Sequence, residues 1–172
     1  QVGVLVNRSG GVEHVIIGDA SKLMLPDIGR LRGGAGRLRG LRLIHTHLSN
    51  EPLTRDDLVD LTRLRLDLVL AICLAPSDGS PTWIYYGHCV PGVSAEGISQ
   101  PPYKTHGPLS YQRTHVDVGA LVSGLEDELA RAARAHEVVA KDGRAILVHV
   151  TDKRGAGKAE DSLRELEELA HT

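Results

Sequence analysis

The chain has 172 residues, a formal charge of −2 and 41 % hydrophobic residues, which suits one domain, or one domain plus a piece of another, with a real core. The near-neutral balance excludes a global electrostatic pull towards nucleic acid or an acidic membrane. Only two cysteines occur, Cys73 and Cys89, too far apart for a CxxC zinc pair, and the chain has neither a run of about 18 apolar residues nor a signal peptide, so a reducing, cytoplasmic setting is expected.

In chain order, "QVGVLV", "NRSGG" and "VEHVIIG" are two β-branched runs around a Gly-containing turn and predict a β-hairpin. Residues 20–40 read as loop, ending in "RLRGGAGRLRG". "LRLIHTH" is a third strand, with Leu41, Leu43 and His45 on one face and Arg42 and Ile44 on the other. A helix runs from Thr54 to about Arg65, with Leu58, Leu61 and Leu64 spaced along one side. "DLVLAICLA" is apolar enough for a strand covered on both faces, and "TWIYYGHCV" pairs with it after the turn "PSDGSP". Residues 93–115 hold several prolines and glycines without a period and predict a long irregular loop. Over 116–140, Val118, Leu121, Val122, Leu125, Leu129 and Ala132 form a stripe at helical spacing, and Gly143 stops that helix. "RAILVHV" then reads as a strand, and "SLRELEELAHT" as a helix opened by a Ser162–Glu165 capping box. Strands alternate with helices, so the class is α/β (α+β), a mixed β-sheet flanked by helices.

The chemistry of the chain centres on "LIHTHLSNEPLTRDDL", residues 43–58. Two histidines two apart on a strand point to the same side and are close enough to share one cation. A carboxylate one turn into the next helix, Asp57, supplies a third ligand and leaves the fourth position of a zinc ion to water. Such an ion brings the pKa of its water towards roughly 7, and hydrolysis then needs a further carboxylate as proton shuttle. A second reading uses the same residues without a metal. Thr54-Arg55-Asp56-Asp57 is a good helix start, with a hydroxyl at the N-cap and an acid three residues on, and His45 and His47 are then buried, hydrogen-bonded residues at a strand end.

His-Thr-His, a short Ser/Asn/Pro loop, a hydroxyl residue and an Asp resemble the JAB/MPN (JAMM) metalloprotein family, its RadC-like branch most closely. The resemblance covers roughly residues 1–90. It implies a JAB/MPN (cytidine-deaminase-like) architecture, zinc on His45, His47 and Asp57, and Thr54 as the hydroxyl that polarises a substrate. The six-residue loop between His47 and Thr54 is one residue shorter than the family pattern. No residue fits the family's catalytic Glu cleanly: Glu13 follows the first turn, and Glu51 lies in the loop itself.

A longer resemblance rests on "RAILVHVTDKRGAGKAEDSLRELEELAHT", "GRLRGLRLIHTHLSNEPLTRDDLVDL" and "LRLDLVLAICL". These are similar to the amino-terminal part of HflX-like GTPases, which bind the large ribosomal subunit. The resemblance implies a JAB/RadC-like extension over residues 1–142 and the start of the HflX amino-terminal domain over 143–172, the chain being a piece of a longer protein. Neither "GGAGRLRG" nor "GAGKAEDS" completes a GxxxxGK[ST] phosphate loop, so GTP and Mg are expected only in a G domain outside this chain. The strand at 144–150 and the helix at 162–171 are expected to pack on this chain's own sheet or on a second copy, giving a homodimer.

Five arginines, Arg30, Arg32, Arg37, Arg39 and Arg42, follow one another without an acid and suit salt-sensitive contacts to rRNA phosphates; a solvated loop explains them equally. Cys73 reads as packing, and Cys89 with His88 as neighbours facing opposite ways. His106, His115, His136 and His149 have no companion at ligand spacing, and Trp83, Tyr85 and Tyr86 are expected to fill the core in place of the absent Phe.

Overall fold

The computed structural model describes residues 1–29, 36–93, 98–112, 115–139 and 164. It divides into two units, Gln1–Arg134 and Ala135–Thr172, and the architecture below belongs to the first. The fold is α+β, a six-stranded mixed sheet with two helices. The strands are β1 (Val2–Asn7), β2 (Val12–Ile17), β3 (Leu41–His47), β4 (Leu68–Leu74), β5 (Pro81–Cys89) and β6 (Tyr103–Ser110), and the helices are α1 (Arg55–Arg63) and α2 (Val118–Val139). The spatial order is β2-β1-β3-β4-β5-β6. Only β3 and β4 run parallel, because the chain between them crosses over as α1; every other neighbour pair is antiparallel.

Local chemistry accounts for the hairpin. The Asn7 side chain accepts from the backbone N–H groups of Ser9 and Gly11, at 3.1 and 2.8 Å, and turns the chain between β1 and β2. Register then sorts the faces. Leu43, His45 and His47 on β3 stand beside Val69, Ala71 and Cys73 on β4, and Gly87 and Tyr85 of β5 follow on the same side. This face carries the core: Leu5, Leu43, Val69, Ala71 and Cys89 pack in one cluster with Leu61 of α1 and Val122 and Leu125 of α2. The other face is less covered by the described residues: Ile44, Leu70, Ile72 and Tyr86 are half-buried, and Val2, Val15 and Ile17 are exposed.

A half-buried ion pair ties the unit together. Asp67, fully buried just before β4, accepts from Arg8 Nε at 2.6 Å and Nη2 at 3.1 Å, and from the Gly40 N–H at 2.8 Å. The same guanidinium reaches Glu126 of α2 at 2.8 Å, and Glu126 also accepts from the Leu38 N–H at 3.0 Å.

Several expectations are corrected. The irregular loop expected over 93–115 contains a strand, β6, which pairs along β5. Trp83 does not fill the core; it sits on the strand with 43 % of its surface exposed. The predicted strand at 144–150 lies outside the described residues, and so does the body of the helix at 162–171, of which residue 164 alone is described as helical. The hairpin, β3, α1, β4, β5 and α2 stand where the sequence placed them.

Candidate metal centre

Two elements build the site: the carboxyl end of β3 and the amino end of α1. Strand alternation turns His45 and His47 to the core face, where they are 2 % and 1 % exposed, with ring centroids 4.8 Å apart. Gly3 pairs with His45 across the β1–β3 ladder. Leu23 lies where a side chain on Gly3 would stand and closes that flank.

Asp57 is the third residue of α1 and comes to the histidines through the helix cap. Thr54 is the N-cap, its Oγ1 accepting from the Asp57 N–H at 3.3 Å, while the Thr54 N–H and Oγ1 donate to Asp57 Oδ2 at 2.7 and 2.8 Å. Held in this way, the carboxylate places Oδ1 at 3.6 Å from His45 Nε2 and Oδ2 at 3.4 Å from His47 Nε2. The capped helix and the metal-ligand constellation, read from the sequence as alternatives, are one arrangement.

The separations distinguish what belongs between these atoms. They are longer than an ordinary N–H···O hydrogen bond of about 2.9–3.0 Å. Ligands of a tetrahedral zinc, bound at roughly 2.0–2.2 Å, stand about 3.3–3.5 Å from one another. The ligand atoms of His45, His47 and Asp57 all lie within 4.8 Å of one another, so this buried group could hold a metal ion. Both ring nitrogens of His45 are buried with no hydrogen-bond partner among the described residues, a costly state for a polar group unless something else engages it.

Protonation suits His45 and Asp57 to the same role, while the upward shift of His47 is one that an ion would have to overcome. Burial, with help from His47 and against the pull of Asp57, pushes His45 down to about 4, so its imidazole is neutral and has a lone pair to give. Burial also lowers His47, but Asp57 and the Glu51 backbone outweigh it and the net shift is upward. Burial raises Asp57, yet the two histidines and the Thr54 cap carry it below the usual carboxylate range. The second nitrogen of His47 is also spoken for. Its Nδ1 lies 3.2 Å from the Glu51 carbonyl, which can only accept, so the proton sits on Nδ1 and Nε2 faces Asp57. The same carbonyl takes the Cys73 thiol at 3.5 Å. This orienting role of the Glu51 backbone has no signature in sequence.

Not every expected residue joins the site. Glu13 donates nothing to it; its carboxylate accepts from Asn7 Nδ2 at 2.8 Å, at the far end of β1 from Gly3. The Glu51 carboxylate lies 4.0 Å from His47 Nδ1, on the side of the ring away from Nε2. Of the five arginines, Arg30 and Arg32 lie outside the described residues, and Arg37 is exposed. Arg39 is used internally, donating to the carbonyls of Leu64, Ile28 and Gly29 at 2.7–3.1 Å. Arg42 is half-buried, its Nε lacking a partner. His106, read as unaccompanied, meets His88 across β5 and β6 with Nε2 atoms 3.2 Å apart.

No protein family, curated protein or solved structure matches this chain.

Proposed function

We propose that this chain is a zinc-binding accessory module of JAB/MPN-like design, the amino-terminal regulatory part of an HflX-like GTPase that works at the large ribosomal subunit in the cytoplasm. One observation carries the metal reading: a buried His45–His47–Asp57 group whose His45 imidazole has no hydrogen-bond partner among the described residues at either nitrogen. In this reading His45 and His47 offer Nε2, Asp57 offers Oδ1, and the cap holds Oδ2. Zinc bound there supplies Lewis acidity towards a water in its open position. The chain's own residues do the positioning: Thr54 orients the carboxylate, and the Glu51 carbonyl sets the His47 tautomer. The GTPase part rests on the resemblance of the three quoted segments, and a Walker-type lysine encoded downstream of residue 172 is its direct check.

The test is metal content. Tag-free protein purified without a nickel column should carry about one zinc per chain, and His47→Ala and Asp57→Asn should each abolish it while circular dichroism stays native. Wild-type protein that takes up no zinc even on titration would refute the module.

A zinc-dependent (iso)peptidase is the second reading, favoured by the Thr54 hydroxyl 2.8 Å from the carboxylate of a ligand residue. It is weaker because neither Glu13 nor the Glu51 side chain faces the ligand atoms to move a proton. Turnover of any member of a peptide panel by the zinc-loaded chain would promote it.

A further inference from the structure

We propose that His88 and His106 form a second metal site, an exchangeable one for a borderline divalent transition ion such as zinc, nickel or copper, on the opposite face of the sheet from the first. The register builds it. Tyr86 stands directly across from His106, and His88 lies two residues along β5 on the same face, so the two imidazoles meet diagonally across the β5–β6 ladder. His45, Ala71 and Tyr85 share the other face, and the two groups of histidines are separated by the sheet.

The geometry is that of two neighbouring ligands. Their Nε2 atoms are 3.2 Å apart, and two imidazole nitrogens bound at roughly 2.0–2.1 Å to a tetrahedral ion stand about 3.3–3.4 Å apart. His88 is 5 % exposed, and its Nδ1 lies 3.2 Å from the Cys89 carbonyl. A carbonyl only accepts, so the proton of His88 is on Nδ1 and the Nε2 lone pair points at His106. The His106 ring is held in plane by stacking on Tyr86, with centroids 4.5 Å apart and planes 14° from parallel. Without an ion, His106 donates its Nε2 proton to His88; with one bound, His106 would carry its proton on Nδ1 instead, leaving both Nε2 lone pairs to the metal. Burial, the largest influence on each ring, lowers both histidines. Lys104, opposite His88 in the register, is the like charge that weakens the site, and Glu128 acts on His88 in the opposite sense. With two protein ligands, the remaining positions fall to water or to a donor from outside, which makes the ion exchangeable.

This site is independent of the first, and one titration separates them. Tag-free, chelator-stripped protein is titrated with zinc and with nickel by calorimetry, together with His47→Ala, His106→Gln and Lys104→Met. The expected result is an equivalent that survives His47→Ala and is lost in His106→Gln. Should the first site hold nothing, that equivalent remains and is the only one; should His106→Gln keep every equivalent, the second site is refuted. If His106→Gln fails to fold by circular dichroism, the lysine variant decides. Binding that survives His47→Ala and tightens several-fold in Lys104→Met sustains the proposal, and unchanged or absent binding overturns it.

Discussion

At the scale of single residues, Thr54 and Asp57 do two jobs with one set of hydrogen bonds. An N-cap threonine replaced by alanine costs about 1 kcal/mol of stability. Here the same hydroxyl also donates to the carboxylate that faces the histidines, at 2.8 Å. Thr54→Ala should therefore lower the stability of the metal-free protein by about 1 kcal/mol in urea melts and weaken zinc binding about 10–100-fold, as loss of an orienting partner does. Thr54→Ser should restore both, and competition against a chromophoric chelator reads the second effect. A Thr54→Ala protein with weakened folding but unchanged zinc affinity would separate the two jobs.

At the scale of elements, the instructive one is β6. Gly107 adopts φ +131, a region that L side chains rarely enter, at the point where the β5–β6 register shifts between Ile84 and Tyr86. A Cβ there would lie 2.5 Å from the Tyr85 ring and 2.8 Å from the Ile84 carbonyl. Gly107→Ala should cost about 2–3 kcal/mol by denaturant melts, since it adds backbone strain to a clash with a neighbouring strand. A cost below roughly half a kcal/mol would mean that the edge strand relaxes freely. The same glycine explains why β6 was hidden. Tyr103-Lys104-Thr105-His106 alternates as a strand should, but Pro101, Pro102, Gly107 and Pro108 around it read as loop. Without β6 the partner of His88 could not be found, because ligands from two strands share no sequence spacing. His45, His47 and Asp57 were legible for the opposite reason: a period of two on one strand, then the third position of an adjoining capped helix, are local signals. The exposure of Trp83 escaped for a third reason, since composition does not say which aromatic a strand turns outward.

At the scale of the whole molecule, the Arg8–Asp67–Glu126 network joins the first turn, the entry to β3, the entry to β4 and α2. Asp67→Ala leaves the Gly40 N–H and part of the Arg8 guanidinium unpaired, and should cost about 2–3 kcal/mol; Arg8 is 43 % exposed, so water recovers some of the loss. Glu126 makes a pH prediction. The Arg8 hydrogen bond, aided by the Leu38 N–H and opposed by burial, holds its carboxyl below the ordinary 4.5. A lowered folded value means the unfolded chain takes the proton first, so this stabilisation is full above about pH 4.5 and fades as pH falls through the folded value. Urea melts of wild type and Glu126→Gln should differ at pH 7 and draw together as pH falls below about 4.5; a gap that does not narrow on acidification would assign the effect to packing.

Because Asp57 both starts α1 and faces the histidines, occupancy of the centre and order in the first helical turn are thermodynamically linked. An ion at a hundred times its dissociation constant would add about 2.7 kcal/mol to folding, shared between β3 and the first turn of α1. Under the proposed zinc reading, a chain without its ion would have a looser crossover between the two parallel strands, so metal supply would be read out as stiffness of α1.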